Sequence, residues 1–134
     1  MVEAVMKMLL VEDNKGFREH VGHMLREKFS TMVISEAGSC MEALKIMDQH
    51  AHNLIIMDIN LPDGTGLDLT KTITANFSDS VVVMLSVNDM PEYREASFLS
   101  GASHFFSKSN FSFPSFVEFV EDFLAGNVLR NNLH

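Results

Sequence analysis

Three stretches of this chain are apolar almost throughout: MKMLLV at residues 6–11, LIIM at 54–57 and VVVML at 81–85. A strand wetted on one face reads apolar and polar in turn. Unbroken runs of this length are what central strands give when other layers cover both of their faces. Strands buried in this way are usually parallel, and parallel neighbours need a crossover between them, most often a helix.

The intervening stretches carry helical spacing. Phe17, Val21, Met24 or Leu25, and Phe29 recur on one helix face behind Asn14, a residue type that caps helix N-termini. Ser39 and Glu42 have capping-box spacing ahead of Ala43, Leu44 and Met47. Thr65 opens a third segment with Leu67, Leu69 and Ile73; Asp89, Pro91 and Glu92 open a fourth, which Gly101 ends. A fifth holds Phe116, Val117, Val120, Phe123 and Leu124 and stops at Gly126. With the weaker runs MVISEA (32–37) and HFFS (104–107), the order is strand then helix, five times. That order implies an α/β domain: a doubly wound parallel sheet between two helical layers. One domain is expected over residues 1–125, with 126–134 a tail or the start of a linker.

Bulk properties narrow the function. A formal net charge of -8 repels phosphate backbones, so direct nucleic acid binding by this domain is not expected. A single cysteine, Cys40, cannot form an internal disulfide. The opening MVEAVMKMLLVED meets acids too soon for a signal peptide or a membrane span, so a cytoplasmic location is expected.

In a doubly wound sheet, ligands bind beyond the carboxyl ends of the strands. The residues there are Glu12 and Asp13 after the first run, Asp58 after the third, Ser86 after the fourth and Lys108 after the fifth. Two unit charges about 4 Å apart repel by roughly 4 kcal/mol at an effective dielectric near 20. Three converging carboxylates would thus cost on the order of 10 kcal/mol, and a divalent cation reverses the sign. Two or three carboxylates with a backbone carbonyl suit Mg²⁺. Lys108 adds a positive charge and Ser86 a hydroxyl, which together suit a phosphoryl group, with Asp58 the candidate nucleophile.

Taken in order, LLVEDN, LIIMDINLPDGTGLDL, VVVMLS and GASHFFSK resemble the receiver domains of two-component response regulators, over about Lys7 to Leu124. The resemblance implies the flavodoxin-like fold with strand order 2-1-3-4-5 and five helices. It implies that Asp58 accepts a phosphoryl group from a sensor histidine kinase or a small donor such as acetyl phosphate. Mg²⁺ (or Mn²⁺) would be held by Glu12, Asp13, Asp58 and the backbone carbonyl of Asn60. Lys108 and Ser86 would stabilise the phosphoryl group, Ser86 and Phe105 would switch, and Asn60 and Asn88 would tune hydrolysis. Such a domain is a signalling switch rather than an enzyme, catalysing only its own phosphorylation and dephosphorylation. Where the family has a proline joined by a cis peptide, this chain has Ser109. A cis bond before a non-proline costs about 2.5–4 kcal/mol, so a trans bond is expected.

Other features read more plainly. His20 and His23 are spaced i, i+3 but lack a metal-ligand pattern around them, and His50, His52 and His134 sit in polar contexts. Cys40 reads as a small packed thiol. Phe111, Phe113 and Phe119 exceed what one buried helix stripe holds, which suggests an exposed patch. In the family the face of the fourth helix, fifth strand and fifth helix pairs receivers, so a homodimer there is the expectation. Two other functions compete: a flavodoxin-like partner-binding module without phosphorylation, and an aspartyl-nucleophile phosphatase of the haloacid-dehalogenase type. The latter needs an Asp two residues after its nucleophile, where this chain has Asn60.

Overall fold

The structure is a computed structural model that describes residues 6–126. The tail beyond Gly126, His134 and the first five residues lie outside the described residues. The main sheet has five parallel strands, β1 (Lys7–Val11), β2 (Val33–Ala37), β3 (Leu54–Met57), β4 (Val81–Ser86) and β5 (His104–Ser107), in the order β2-β1-β3-β4-β5. Five helices alternate with them: α1 (Lys15–Lys28), α2 (Cys40–Gln49), α3 (Gly66–Asn76), α4 (Pro91–Ser100) and α5 (Phe113–Leu124). This is the expected doubly wound arrangement.

The three apolar runs are the three central strands, and each splits its side chains between two cores. Leu10, Ile56, Val83 and Leu85 face α1 and α5, where Val21, Leu25, Phe116 and Val120 meet them. Leu9, Ile55, Met57, Val82 and Met84 face the other way, toward Ala43, Met47, Leu69 and Ile73 of α2 and α3. Alternation along a strand therefore divides apolar from apolar, which is why it was invisible as polarity.

Helix starts follow the expected caps at Asn14, Ser39 and Thr65, whose side chains accept from the N–H groups of Phe17, Glu42 and Asp68. Two local details differ from expectation. Glu42 completes its cap on the N–H of Gly38 rather than of Ser39. The residue before α4 is Met90, with no side-chain cap, because the Asp89 carboxylate is engaged elsewhere, by the hydroxyl of Ser107 at 2.7 Å. An unanticipated two-residue hairpin, Asn60–Leu61 against Gly64–Thr65, follows β3.

The phenylalanines do not make the expected exposed patch. Phe119 is buried, and Phe111, Phe113 and Phe123 are partly buried against the α1/α5 core. Phe106 of the edge strand β5 lies under α5. Rings pack there edge to face, Phe106 meeting Phe116 and Phe119 with centroids 5.4 and 5.5 Å apart.

His52 is buried at the amino-terminal edge of the sheet. Its Nδ1 lies 2.8 Å from the carbonyl of His50, which can only accept, so Nδ1 carries the proton. Burial lowers its pKa below the ordinary histidine value. The unfolded chain therefore protonates first as pH falls. Stability is full above about pH 6.5 and is lost as pH descends through the lowered folded pKa. Urea midpoints between pH 5 and 7.5 should fall on the acid side, with a flatter profile for His52→Gln; equal slopes for the two would contradict this.

Gly66 stands at the start of α3, where an added Cβ would lie 2.0 Å from the carbonyl oxygen of Asp58. Gly66→Ala must push the Asp58 peptide aside and should cost about 2–3 kcal/mol in chemical denaturation. A change below about 0.5 kcal/mol would show that the loop yields freely.

Candidate functional site

Parallel register brings the site together. Val11 pairs with Met57, and Met57 with Met84, so the next residues on β1 and β3, Glu12 and Asp58, emerge side by side. The ladders run one residue past the strands: Glu12 N–H donates to Ala37, Asp58 N–H to Val11 and Lys108 N–H to Ser86. Their backbones are thus fixed as firmly as the sheet itself.

Lys108 reaches back across β4. Its ammonium lies 2.5 Å from Glu12 Oε1 and 3.2 Å from Asp58 Oδ2. The Phe17 ring of α1 faces the same ammonium, 4.8 Å from Nζ to the centroid. Asp58 Oδ1 is buried and has no hydrogen-bond partner. Burial drives the Glu12 carboxyl above its ordinary pKa. Lys108 and the Asn14 N–H pull the other way, and the Asp58 charge adds to the rise.

Of the residues singled out in the sequence, Glu12, Asp58 and Lys108 are in contact and buried or nearly so. Ser86 is fully buried at the end of β4, where its hydroxyl accepts from Asn88 N–H at 3.2 Å. Phe105 is half-buried on β5 under the guanidinium of Arg94, 4.7 Å from its ring centroid. Asp13 is exposed, and so is Asn60 on the hairpin. Among the described residues no three acids, histidines or cysteines stand in a ready-made metal cluster. The two assembled carboxylates and the unpartnered oxygen are nonetheless hard oxygen donors, the kind that Mg²⁺ takes. The Lys108–Ser109 peptide is trans, as is every described peptide bond.

Several contributors were not singled out in the sequence. Arg18 donates from Nη1 to the carbonyl of Glu12 at 2.7 Å and from Nε to Glu36, bracing the acidic turn from α1. Phe17 shows itself in sequence only as part of a helix stripe. Asp63, in the turn after Asp58, accepts the N–H groups of Cys40 and Met41 at 2.8 and 3.0 Å and so caps α2, which holds its own pKa down. Burial, with the Asp63 carboxylate beside it, pushes the Cys40 thiol up to about 11.

Replacing Lys108 by methionine leaves Glu12 and Asp58 facing each other with no counter-charge. Both are largely but not wholly buried, so the expected loss at pH 7 is about 1–3 kcal/mol. Because burial already raises the Glu12 pKa, part of that loss should return as pH falls and Glu12 takes up a proton. Urea midpoints for Lys108→Met and the parent across a falling pH series test this; parity with the parent throughout would refute it.

A sequence profile described as the response regulator receiver domain matches residues 8–120. The transcriptional activator protein ExaE of Pseudomonas putida is 32% identical over 123 residues, covering 91% of this chain and 56% of that protein. The transcriptional regulatory protein DegU of Brevibacillus brevis is 26% identical over 106 residues, covering 79% and 45%. This chain therefore spans about half the length of these relatives. Among solved structures, the BeF3-activated receiver domain of DrrB, from Thermotoga maritima, superposes with a TM-score of 0.81 at 21% identity, over 91% of this chain and 99% of that one. At that identity it speaks for the fold alone. Receiver domains are signalling switches rather than enzymes with external substrates, and Mg²⁺ and a phosphoaspartate are general features of them. That sets aside the phosphatase of the haloacid-dehalogenase type. With its five-stranded order and matched span, this chain belongs to the family of response regulator receiver domains.

Proposed function

We propose that Asp58 is the phosphoacceptor of this receiver domain and that its phosphorylation changes the domain's affinity for a partner. The observation that carries the reading is one carboxylate with unequal oxygens: Oδ2 held by Lys108, Oδ1 buried and unpartnered. An Asp58 oxygen forms the new bond to phosphorus. The bond from phosphorus to the donor breaks, its electron pair leaving with the imidazole of a sensor kinase's phosphohistidine or with acetate from acetyl phosphate. The domain catalyses this transfer, and the later hydrolysis, on itself.

Glu12, Asp13, Asp58 and the Asn60 carbonyl would hold Mg²⁺ or Mn²⁺, which offsets the charge of the carboxylates and the phosphoryl oxygens. Lys108 is already in place to turn from Asp58 Oδ2 to a phosphoryl oxygen. The Ser86 hydroxyl accepts from Asn88 and keeps its own hydrogen to donate. Movement of the Ser86 loop with Phe105 would carry the signal outward, and Asn60 and Asn88 would tune hydrolysis. Among the described residues no helix is long and apolar enough to cross a membrane.

Self-association through the face of α4, β5 and α5 gains little from the phenylalanines, since Phe116 and Phe119 are buried and Phe111, Phe113 and Phe123 are partly so. The outer sides of α4 and α5 carry Glu92, Glu95, Glu118, Glu121 and Asp122, so two like surfaces would meet acid to acid. A homodimer at this face needs to overcome that repulsion.

Incubation with acetyl phosphate and Mg²⁺, followed by mass spectrometry, tests the assignment. The parent should gain one phosphoryl group and Asp58→Asn none. An equal gain in the variant would move the acceptor elsewhere.

A further inference from the structure

We propose that Asp89, Ser107 and Arg94 form a latch that ties the loop after Ser86 to the fifth strand and opposes its movement toward Asp58. The inference rests on the phosphoacceptor reading above and adds the elements that restrain it.

Asp89 lies three residues beyond Ser86, and Ser107 immediately precedes Lys108. The Ser107 hydroxyl donates to Asp89 Oδ2 at 2.7 Å and accepts from Ser109 N–H at 3.2 Å. Arg94 of α4 donates from Nε to the Asp89 carbonyl at 3.1 Å. One residue of the loop is thereby gripped through its side chain by β5 and through its main chain by α4. The same guanidinium lies over the Phe105 ring, so the loop and the half-buried aromatic share a single restraint.

The two hydrogen bonds differ in what motion does to them. Ser86 and Ser107 are register partners on adjacent strands, so shifting the loop against β5 lengthens the Ser107–Asp89 bond directly. Hydrogen bonds weaken steeply with length and angle, and one to a carboxylate is stronger than a neutral one. A buried hydroxyl in a strand otherwise reading HFF needs a partner, and Asp89 supplies it. Contacts made in only one arrangement lower the population of the other by the corresponding factor. A ligand that needs the other then binds more weakly by that factor.

The test uses beryllofluoride with Mg²⁺ as the phosphoryl mimic, titrated into the parent, Ser107→Ala, Ser107→Thr and Arg94→Ala. NMR follows the amides of residues 86–90 and the Phe105 ring. Ser107→Ala should bind the mimic about three- to tenfold more tightly and Arg94→Ala about threefold, with Ser107→Thr close to the parent. A loop contact of purely structural value would instead lower thermal stability without raising affinity. Unchanged or weaker binding in both loosened variants overturns the latch. Should the parent itself take up no mimic, the phosphoacceptor reading fails. The latch is then judged on the free protein: loop amides and Phe105 signals that shift in both variants sustain it, and signals that stay in place end it.

Discussion

A single ammonium group stands between two carboxylates that the sheet forces together. Glu12 and Asp58 have no choice of position, because each backbone is bonded into a parallel ladder whose register brings the ends of β1 and β3 level. Without Lys108 their repulsion would be set against the packing of two central strands. With it, one of the two acidic charges is offset, and the ammonium satisfies one oxygen of Asp58 and leaves the other open. The restraints around it serve this arrangement: Arg18 fixes the turn carrying Glu12, Phe17 walls the ammonium, and Gly66 lets α3 approach the Asp58 carbonyl.

Much of this was legible in the residues because it depends on local rules. Runs such as LIIM and VVVML admit few structures, and Asn14, Ser39 and Thr65 mark helix starts by chemistry that acts over three residues. The acid, hydroxyl and lysine at strand ends could be placed together once the strands were known to be parallel. Register decides who touches whom, and parallel strands of similar length leave little freedom.

What stayed hidden depends on contacts distant in sequence. Asp89 looked like a helix cap because Asp often is one; its partner Ser107 is on another strand, and nothing near Asp89 announces it. The phenylalanines of α5 looked too many for one stripe, since a stripe counts positions on a helix and not the partners beneath it. Phe106 on the edge strand supplies one such partner, to Phe116 and Phe119. Arg18, Phe17 and Arg94 were unremarkable for the same reason: each takes its meaning from a residue on another element.

The cap on α2 has a chemical corollary. Cys40 shares its corner with the Asp63 carboxylate, and its thiol titrates near 11. At neutral pH only about one molecule in ten thousand then carries the sulfur anion, the nucleophile that attacks peroxides and disulfides. The turn that follows Asp58 thus keeps the one cysteine of the chain chemically quiet.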